Sequence, residues 1–340
     1  EQIDMARWGN SLTWIKDRIG EEAIKEVIMG KKLDYPLHVE IHPHHKNTIL
    51  CNNGCEGCTG GRYREGVDHQ FGINSDRLIE TIGDFKGKVR RVVLSGCCIE
   101  PLLYPQINEV IRGVRDAGLE FSLYSNFYYA FRPGLMEALV ETNKKDFCRI
   151  SIDAGTNESY NAVHSPRDPN SFNRVIDNIK RLLELKQKRK SPLNVYMTYL
   201  LHRANSQPDE LENMVEFASN QVGLNAIRFS FYQKPLGIRA SSNILFEEQE
   251  ADKTRKFLMH LKALYEREDF LVGVGNEETM QEQKQKTFSR CRVHEFFGVI
   301  GFDGGVYPCT AMASPFSPAK YRFGNINEED FFDIWKRKQS

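Results

Sequence analysis

Cys51, Cys55 and Cys58 stand close together, three and then two residues apart. Three soft thiolates at this spacing can converge on one metal centre. A mononuclear zinc site takes a fourth ligand, usually from a second paired knuckle. No second Cys-x-x-Cys pair exists in the chain. An iron–sulfur cluster accepts cysteines from one compact loop and uses four when every iron is protein-bound. Three would leave one iron open to an outside ligand. Unrelated thiols in one loop are the third reading. The spacing favours the cluster. Asn52, Asn53, Gly54, Gly57, Gly60 and Gly61 make the stretch poor helix or strand material, and suit it to wrapping backbone around a guest.

Such a loop needs a scaffold. The chain has 340 residues, 40% hydrophobic and 27% charged, with Lys+Arg and Asp+Glu both at 46. This is the composition of an ordinary globular protein, long enough for one large α/β barrel or two domains. Zero net charge argues against a dominant nucleic-acid footprint. The basic run Lys186 to Lys190 reads as a solvated helix end before Ser191-Pro192. No stretch approaches the roughly 18 consecutive apolar residues of a membrane-spanning helix. The N-terminus lacks the basic and apolar regions of a signal peptide and has no initiator Met, as a trimmed chain would. A cytoplasmic, reducing setting is expected, in which the eight cysteines serve as ligands, catalytic thiols or small hydrophobes rather than disulfides.

Residues 1–36 read as a helical segment, with Trp8, Leu12, Ile15 and Ile19 near helical spacing. Leu37 to His42 alternates as a first strand, and a polar connector, His44 to Thr48, leads into the cysteine loop. Strands are then expected at 89–95, 121–126, 147–153, 193–201 and 226–232. Helices are expected at 75–85, 104–117, 135–142, 172–186, 209–220 and 247–265. Six βα units with short connections argue for a parallel sheet with right-handed crossovers. The fold expected is α/β, a partial (β/α)6 TIM-like barrel over 37–270, with an open doubly wound sheet as the alternative. Either places a site at the C-terminal ends of the strands, where the cysteine loop falls. Residues 271–340 read as a small α+β module, with a hairpin around Asp303-Gly304 and a last helix from Asn327, its N-cap, to Lys338.

Cys51-x3-Cys55-x2-Cys58 after a first strand resembles the radical S-adenosylmethionine (SAM) superfamily. Further stretches match in order. Ser95-Gly96-Cys97-Cys98-Ile99-Glu100-Pro101 is similar to the family's Gly-Gly-Glu-Pro segment. Tyr124-Ser125-Asn126 stands where the family often has Thr-Asn, and Ser151-Ile152-Asp153 resembles its fourth-strand segment. His164-Ser165-Pro166-Arg167 with Ser171-Phe172 resembles a stretch common in one branch. The resemblance covers about residues 37–235 and is specific in combination. Cys291-x12-Gly304-x4-Cys309 with Phe323-Gly324-Asn325 and Asp333-Ile334-Trp335 resembles the opening of the SPASM/twitch extension, which carries auxiliary clusters in many members.

The resemblance implies that Cys51, Cys55 and Cys58 bind a [4Fe–4S] cluster whose open iron chelates SAM. Reductive cleavage would yield methionine and a 5′-deoxyadenosyl radical that takes hydrogen from the substrate. It implies that Glu100 and the backbone at Cys98 contact the methionyl amino group. Ser151 and Arg167 would hold the carboxylate or ribose, with Asp153 or Asn126 assisting. Cys291 and Cys309 match the first two auxiliary ligands, and no cysteine follows before Ser340. Truncation, non-cysteine ligands and a vestigial module are the alternatives for the second cluster. The chain departs from the family at Gly57, where an aromatic residue is usual; either the loop packs differently or Tyr63 or Phe71 supplies the aromatic. It departs again at Cys97-Cys98, in place of Gly-Gly. These two thiols are packing residues or hydrogen donors to a substrate radical. Cys148 reads as core.

The expected substrate is a small polar molecule, such as a sugar, aminoglycoside or nucleoside, undergoing dehydrogenation, dehydration, decarboxylation or epimerisation. The N-terminal segment is short for a leader-peptide domain. A peptide- or protein-modifying enzyme is the alternative, and a non-catalytic electron carrier the third reading. Tyr128, Tyr129, Tyr232 or Arg239 could line either pocket. A reducing partner such as flavodoxin or ferredoxin is implied; nucleic acid and membrane are not.

Overall fold

The computed structural model describes residues 11–55, 58, 71–232, 244–275, 291–313 and 319–339. Trp8, Gly57, Tyr63 and Arg239 lie outside them. In chain order the elements are α1 (Ser11–Ile28), β1 (His38–Ile41), α2 (Ser75–Asp84), β2 (Arg91–Leu94), α3 (Ile107–Asp116), β3 (Glu120–Ser125), α4 (Leu135–Val140) and β4 (Phe147–Ser151). Then follow α5 (Asn157–His164), α6 (Ser171–Arg189), β5 (Asn194–Leu201), α7 (Pro208–Glu216), β6 (Ala226–Phe231), α8 (Glu248–Tyr265) and β7 (Leu271–Val274). Last come β8 (Phe297–Ile300), β9 (Gly305–Tyr307), β10 (Gly324–Asn325) and α9 (Phe331–Gln339). Two compact units result. One comprises residues 1–50, 67–123 and 288–340; the other comprises 51–66 and 124–287.

In the first unit β1 lies between β2 and β8 and is parallel to both, with His38 opposite Arg91 and Phe297. β3 extends the sheet in parallel from β2. β9 returns antiparallel to β8, and β10 antiparallel to β9. The expected hairpin turn is there: Gly304 has φ 81°, and Asp303 Oδ1 accepts the Gly305 N–H at 2.9 Å. Val39 and Ile41 are wholly buried while His38 and Glu40 share the other face of β1, the alternation that the period-two pattern requires. α9 buries Phe331, Ile334 and Trp335, and the Trp335 indole N–H reaches the Leu33 carbonyl at 3.2 Å. Its N-cap is Asp330, whose Oδ1 accepts the N–H groups of Phe332 and Asp333. The expected cap, Asn327, is used elsewhere: its amide holds the Gly72 carbonyl and the Asn74 N–H, each at 2.9 Å. A short polar side chain caps whichever backbone its neighbours leave open.

In the second unit β4, β5, β6 and β7 run parallel, with Ser151 opposite Thr198, Thr198 opposite Arg228, and Ala226 opposite Leu271. α6, α7 and α8 supply buried apolar faces, including Val175, Ile179, Leu182, Leu211, Met214, Leu258 and Leu261. Two elements were not expected from the sequence. β7 is only four residues long and includes Gly273. α5 has a weak apolar stripe, and a reciprocal Thr156–Ser159 capping box starts it.

Candidate cluster and cofactor site

The cysteine loop is held from several sides within the second unit. Gly54 donates its N–H to the carbonyls of His164 (2.7 Å) and Ser165 (3.2 Å), at the C-terminal end of α5. Arg167 donates its N–H to the Asn52 carbonyl at 3.2 Å. Cys58 N–H closes a turn on the Cys55 carbonyl at 3.3 Å. Cys51, Cys55 and Cys58 are all partly exposed. Cys51 Sγ receives the Asn53 N–H at 3.4 Å and the Asn126 amide at 3.6 Å. Cys55 Sγ lies 3.0 Å from His164 Nδ1.

The donor set fits a [4Fe–4S] cluster. It offers three soft thiols in one accessible loop, and N–H groups directed at a ligand sulfur, as cluster sites commonly supply. Among the described residues no three His, Cys, Asp or Glu side chains are already gathered around a metal-sized point. The fit therefore rests on donor type, accessibility and loop anchoring.

Asn126 follows β3 and is fully engaged. Its Nδ2 donates to Asn52 Oδ1 at 2.9 Å, and its Oδ1 accepts the Tyr128 N–H at 3.0 Å. Ser151 ends β4, with its hydroxyl 3.4 Å from that of Thr198. Asp153 has φ 48° and accepts the Leu200 N–H at 2.6 Å; its own carbonyl receives the Asn205 amide at 2.7 Å. Burial pushes its carboxyl up to about 7, against the pull of the Leu200 hydrogen bond and of Arg149. The Arg167 side chain is exposed.

Glu100, Cys97, Cys98, Cys291 and Cys309 belong to the first unit. Glu100 is buried and accepts the Leu102 N–H at 3.1 Å, capping the turn Pro101–Leu103. Its own N–H donates to the carbonyl of Leu50, the residue before Cys51, at 2.7 Å. Cys98 packs in an apolar cluster with Leu50, Ile99 and Phe302, and Cys97 beside it is partly exposed. The turn needs Gly96, because a Cβ there would lie 2.2 Å from the Ile99 carbonyl oxygen. Cys291 is exposed; Cys309 is half-buried and leads the turn Thr310–Met312. Phe71 is half exposed, and Cys148 is wholly buried in β4.

Sequence reasoning passed over His164 as a contact of the loop, and it passed over a polar network on β1. Glu40 Oε1 meets His42 Nε2 at 2.9 Å and also accepts the Ser95 hydroxyl, while Oε2 accepts the Thr310 hydroxyl at 2.6 Å. The only signal was the polar side of the 38–42 alternation. Burial alone would raise the Glu40 carboxyl, but hydrogen bonds from His42, Ser95 and Thr310 bring it down to about 2. A depressed carboxyl stabilises the fold above its unfolded value near 4.5, and that contribution is lost as pH falls through about 2. Glu40→Gln is expected to flatten this part of the acid-unfolding profile, followed by circular dichroism from pH 5 to pH 2. An unchanged profile would assign the acid sensitivity to other groups.

Residues 48–218 match the family model of the radical SAM superfamily, and residues 291–340 match SPASM, an iron–sulfur cluster-binding domain. The chain is 23% identical over 215 residues to dTDP-4-amino-4,6-dideoxy-D-glucose ammonia-lyase of Streptomyces venezuelae; the match covers 63% of this chain and 42% of that relative. Among solved structures it is similar to Streptococcus suis SuiB, with TM-score 0.66, 13% identity, and coverage of 96% of this chain and 71% of that one. It is also similar to native anSMEcpe with bound AdoMet, with TM-score 0.62, 17% identity, and coverage of 89% and 81%. These likenesses show the fold: a mostly parallel α/β sheet with helices, of the partial TIM-like barrel kind. The chain belongs to the radical SAM superfamily of enzymes, which use a [4Fe–4S] cluster and S-adenosylmethionine, and it carries a SPASM domain at residues 291–340.

Proposed function

We propose that this protein cleaves SAM reductively and uses the product radical on a small polar substrate of the sugar or sugar-nucleotide type. The observation that carries the substrate class is the match to a relative named as an ammonia-lyase of a dTDP-amino-deoxysugar. Elimination or dehydrogenation at a sugar carbon fits that class. A peptide-modifying role is the second reading, favoured by the likeness to SuiB, which has also been solved bound to precursor peptide SuiA. That likeness is one of fold at 13% identity, so it ranks below the match in sequence.

Residues 37–270 are the catalytic core in this reading, and 271–340 the auxiliary module. Cys51, Cys55 and Cys58 hold the cluster. When bound, the cluster supplies one electron to SAM, releasing methionine and a 5′-deoxyadenosyl radical that takes a hydrogen atom from the substrate. Glu100 and the backbone at Cys98 receive the methionyl amino group, and the rigid turn at Gly96 sets their position. Ser151, at a strand end, and the exposed Arg167 receive the carboxylate or ribose; a guanidinium can clamp a carboxylate through two hydrogen bonds. Asn126 and Asp153 assist by holding the cysteine loop and the exit of β4. Cys97, the more exposed of its pair, is the hydrogen donor to a substrate radical. Cys291 and Cys309 are ligands of a second cluster. A flavodoxin- or ferredoxin-type reductant and a cytoplasmic setting complete the proposal; among the described residues no helix is long and apolar enough to cross a membrane.

Anaerobic reconstitution with iron and sulfide, followed by dithionite and SAM, is expected to yield 5′-deoxyadenosine. Nucleoside-diphosphate amino- or deoxysugars should raise that yield and be consumed with it. No SAM cleavage by an iron-loaded protein would sink the radical reading. Cleavage stimulated only by peptides would replace the sugar substrate with the second reading.

A further inference from the structure

We propose that Arg149 and Arg228 bind the phosphate groups of the substrate, the diphosphate of a nucleoside-diphosphate sugar. The proposal rests on the sugar-nucleotide reading of the function and adds the residues that grip its charged part. Both arginines lie in the second unit. Ser151 stands opposite Thr198, and Thr198 opposite Arg228, so the three share one face of the sheet. Arg149 lies two residues before Ser151 on β4, and Ser230 two residues beyond Arg228 on β6, so both join that face. All five are half-buried. The other face of these strands carries Cys148, Ile150, Met197, Ile227 and Phe229, each wholly buried. Beside Arg228 in the register is Gly273, which has no side chain to fill the space.

The Arg149 guanidinium lies over the Tyr124 ring, 3.6 Å from its centroid. Tyr124 in turn stacks on Phe147, with centroids 5.8 Å apart, and Phe147 meets Tyr196 at 5.2 Å. A guanidinium held by its flat face on an aromatic ring presents its N–H groups outward in the plane. Among the described residues Arg149 forms no ion pair, and its buried Nε has no hydrogen-bond partner. The Asp153 carboxyl feels the Arg149 charge, but burial holds it up at about 7, so it carries only part of a counter-charge at neutral pH. Arg228 is held below the ordinary guanidinium value, first by burial and then by Arg149. Two like charges on a half-buried face cost free energy until an anion joins them. An arginine that only filled the core would gain from a carboxylate partner and lose from a second arginine. Guanidinium forks match phosphate and carboxylate oxygens in pairs. Two of them, with the hydroxyls of Ser151, Thr198 and Ser230 on the same face, suit the many oxygens of a diphosphate better than one carboxylate. A strand rises about 3.3 Å per residue, so Arg149 lies about 7 Å along β4 from Ser151. A pyranose on the diphosphate can span that step, which leaves its reacting carbon at the Ser151 end.

Calorimetry on the reconstituted full chain tests this, with dTDP-glucose, dTDP and inorganic pyrophosphate as probes. Wild type is expected to bind all three, and pyrophosphate to displace dTDP-glucose where thymidine does not. Arg149→Gln and Arg228→Gln should each weaken dTDP-glucose binding about tenfold, as the loss of a charge-assisted contact does. Arg149→Lys and Arg228→Lys keep the charge without the fork and should fall between. Circular dichroism melts show which variants fold. A folded Gln variant of either residue, or a Lys variant where Gln does not fold, that binds dTDP-glucose like wild type would overturn the pair and leave the sugar-nucleotide reading intact. Succinate displacing dTDP-glucose as well as pyrophosphate does would overturn the phosphate assignment. A wild type that binds none of the probes would overturn both the pair and the sugar-nucleotide reading. An iron-loaded protein that cleaves no SAM, yet loses dTDP-glucose in both Gln variants, would sink the radical reading and leave this site standing.

Discussion

Replacing Cys51, Cys55 or Cys58 by Ala is expected to abolish 5′-deoxyadenosine formation and to lower the iron content by about four per chain. The three substitutions should be equivalent, because a cluster that loses one of three protein ligands loses its anchorage rather than a third of its activity. The loss should also come without global unfolding. The thiols are partly exposed, and the loop is tied down by Gly54 N–H, Asn52 and the Asn53–Tyr160 contact rather than by the sulfurs. Cys97→Ala is the contrasting case, expected to leave iron at this site unchanged. Iron and sulfide analysis with circular dichroism on all four proteins tests this. Retention of a full cluster by any of the three loop variants would remove that residue from the ligand set.

Glu210→Ala is expected to destabilise the protein by about 3 kcal/mol. Glu210 is buried near the start of α7, and one carboxylate oxygen accepts three hydrogen bonds. These come from Gly155 N–H at 2.6 Å, the Ser159 hydroxyl at 2.5 Å and the Tyr199 hydroxyl at 2.9 Å. Truncation leaves the Gly155 N–H without its acceptor and reduces the Ser159 and Tyr199 hydroxyls to their second partners, the Thr156 carbonyl at 3.2 Å and the Asn205 carbonyl at 2.8 Å; an orphaned buried donor costs more than a made bond contributes. Space is also matched here, since a Cβ on Gly155 would lie 2.4 Å from Glu210 Cγ. The carboxylate thus seats the N-terminal turn of α5, the helix whose other end carries His164. Loss of Glu210 should therefore weaken iron binding as well as stability, although no cluster ligand is touched. Glu210→Gln keeps an acceptor oxygen and is expected to cost about 1 kcal/mol. Urea unfolding of the two variants against wild type gives both numbers. Equal costs for Ala and Gln would mean that packing, not hydrogen bonding, is what Glu210 supplies.

The two predictions draw on information of different kinds. The cysteine spacing is local, and so is the period of each strand and helix. Apolar residues two apart mark β5 and β6, and three or four apart mark α6 and α8. Those signals were enough for the α/β alternation, the parallel order, and the place of the loop after the first strand. α5 escaped because its stripe, Tyr160 and Val163 among polar residues, is short. β7 escaped because four residues with a glycine carry almost no period. The cap of the last helix was misread by three residues, since Asn327 and Asp330 are equally able caps and only the competing partners at Gly72 and Asn74 decide between them.

The donor chemistry of Cys51, Cys55 and Cys58 was thus determined by the sequence alone, because ligand type and spacing within one loop need no distant contact to be read. What only the tertiary structure decided is how that loop is held. His164 stands 109 residues from Cys55, and Asn126 stands 75 residues from Cys51. Contacts of that separation depend on where strands end and how helices dock, and no local pattern encodes them.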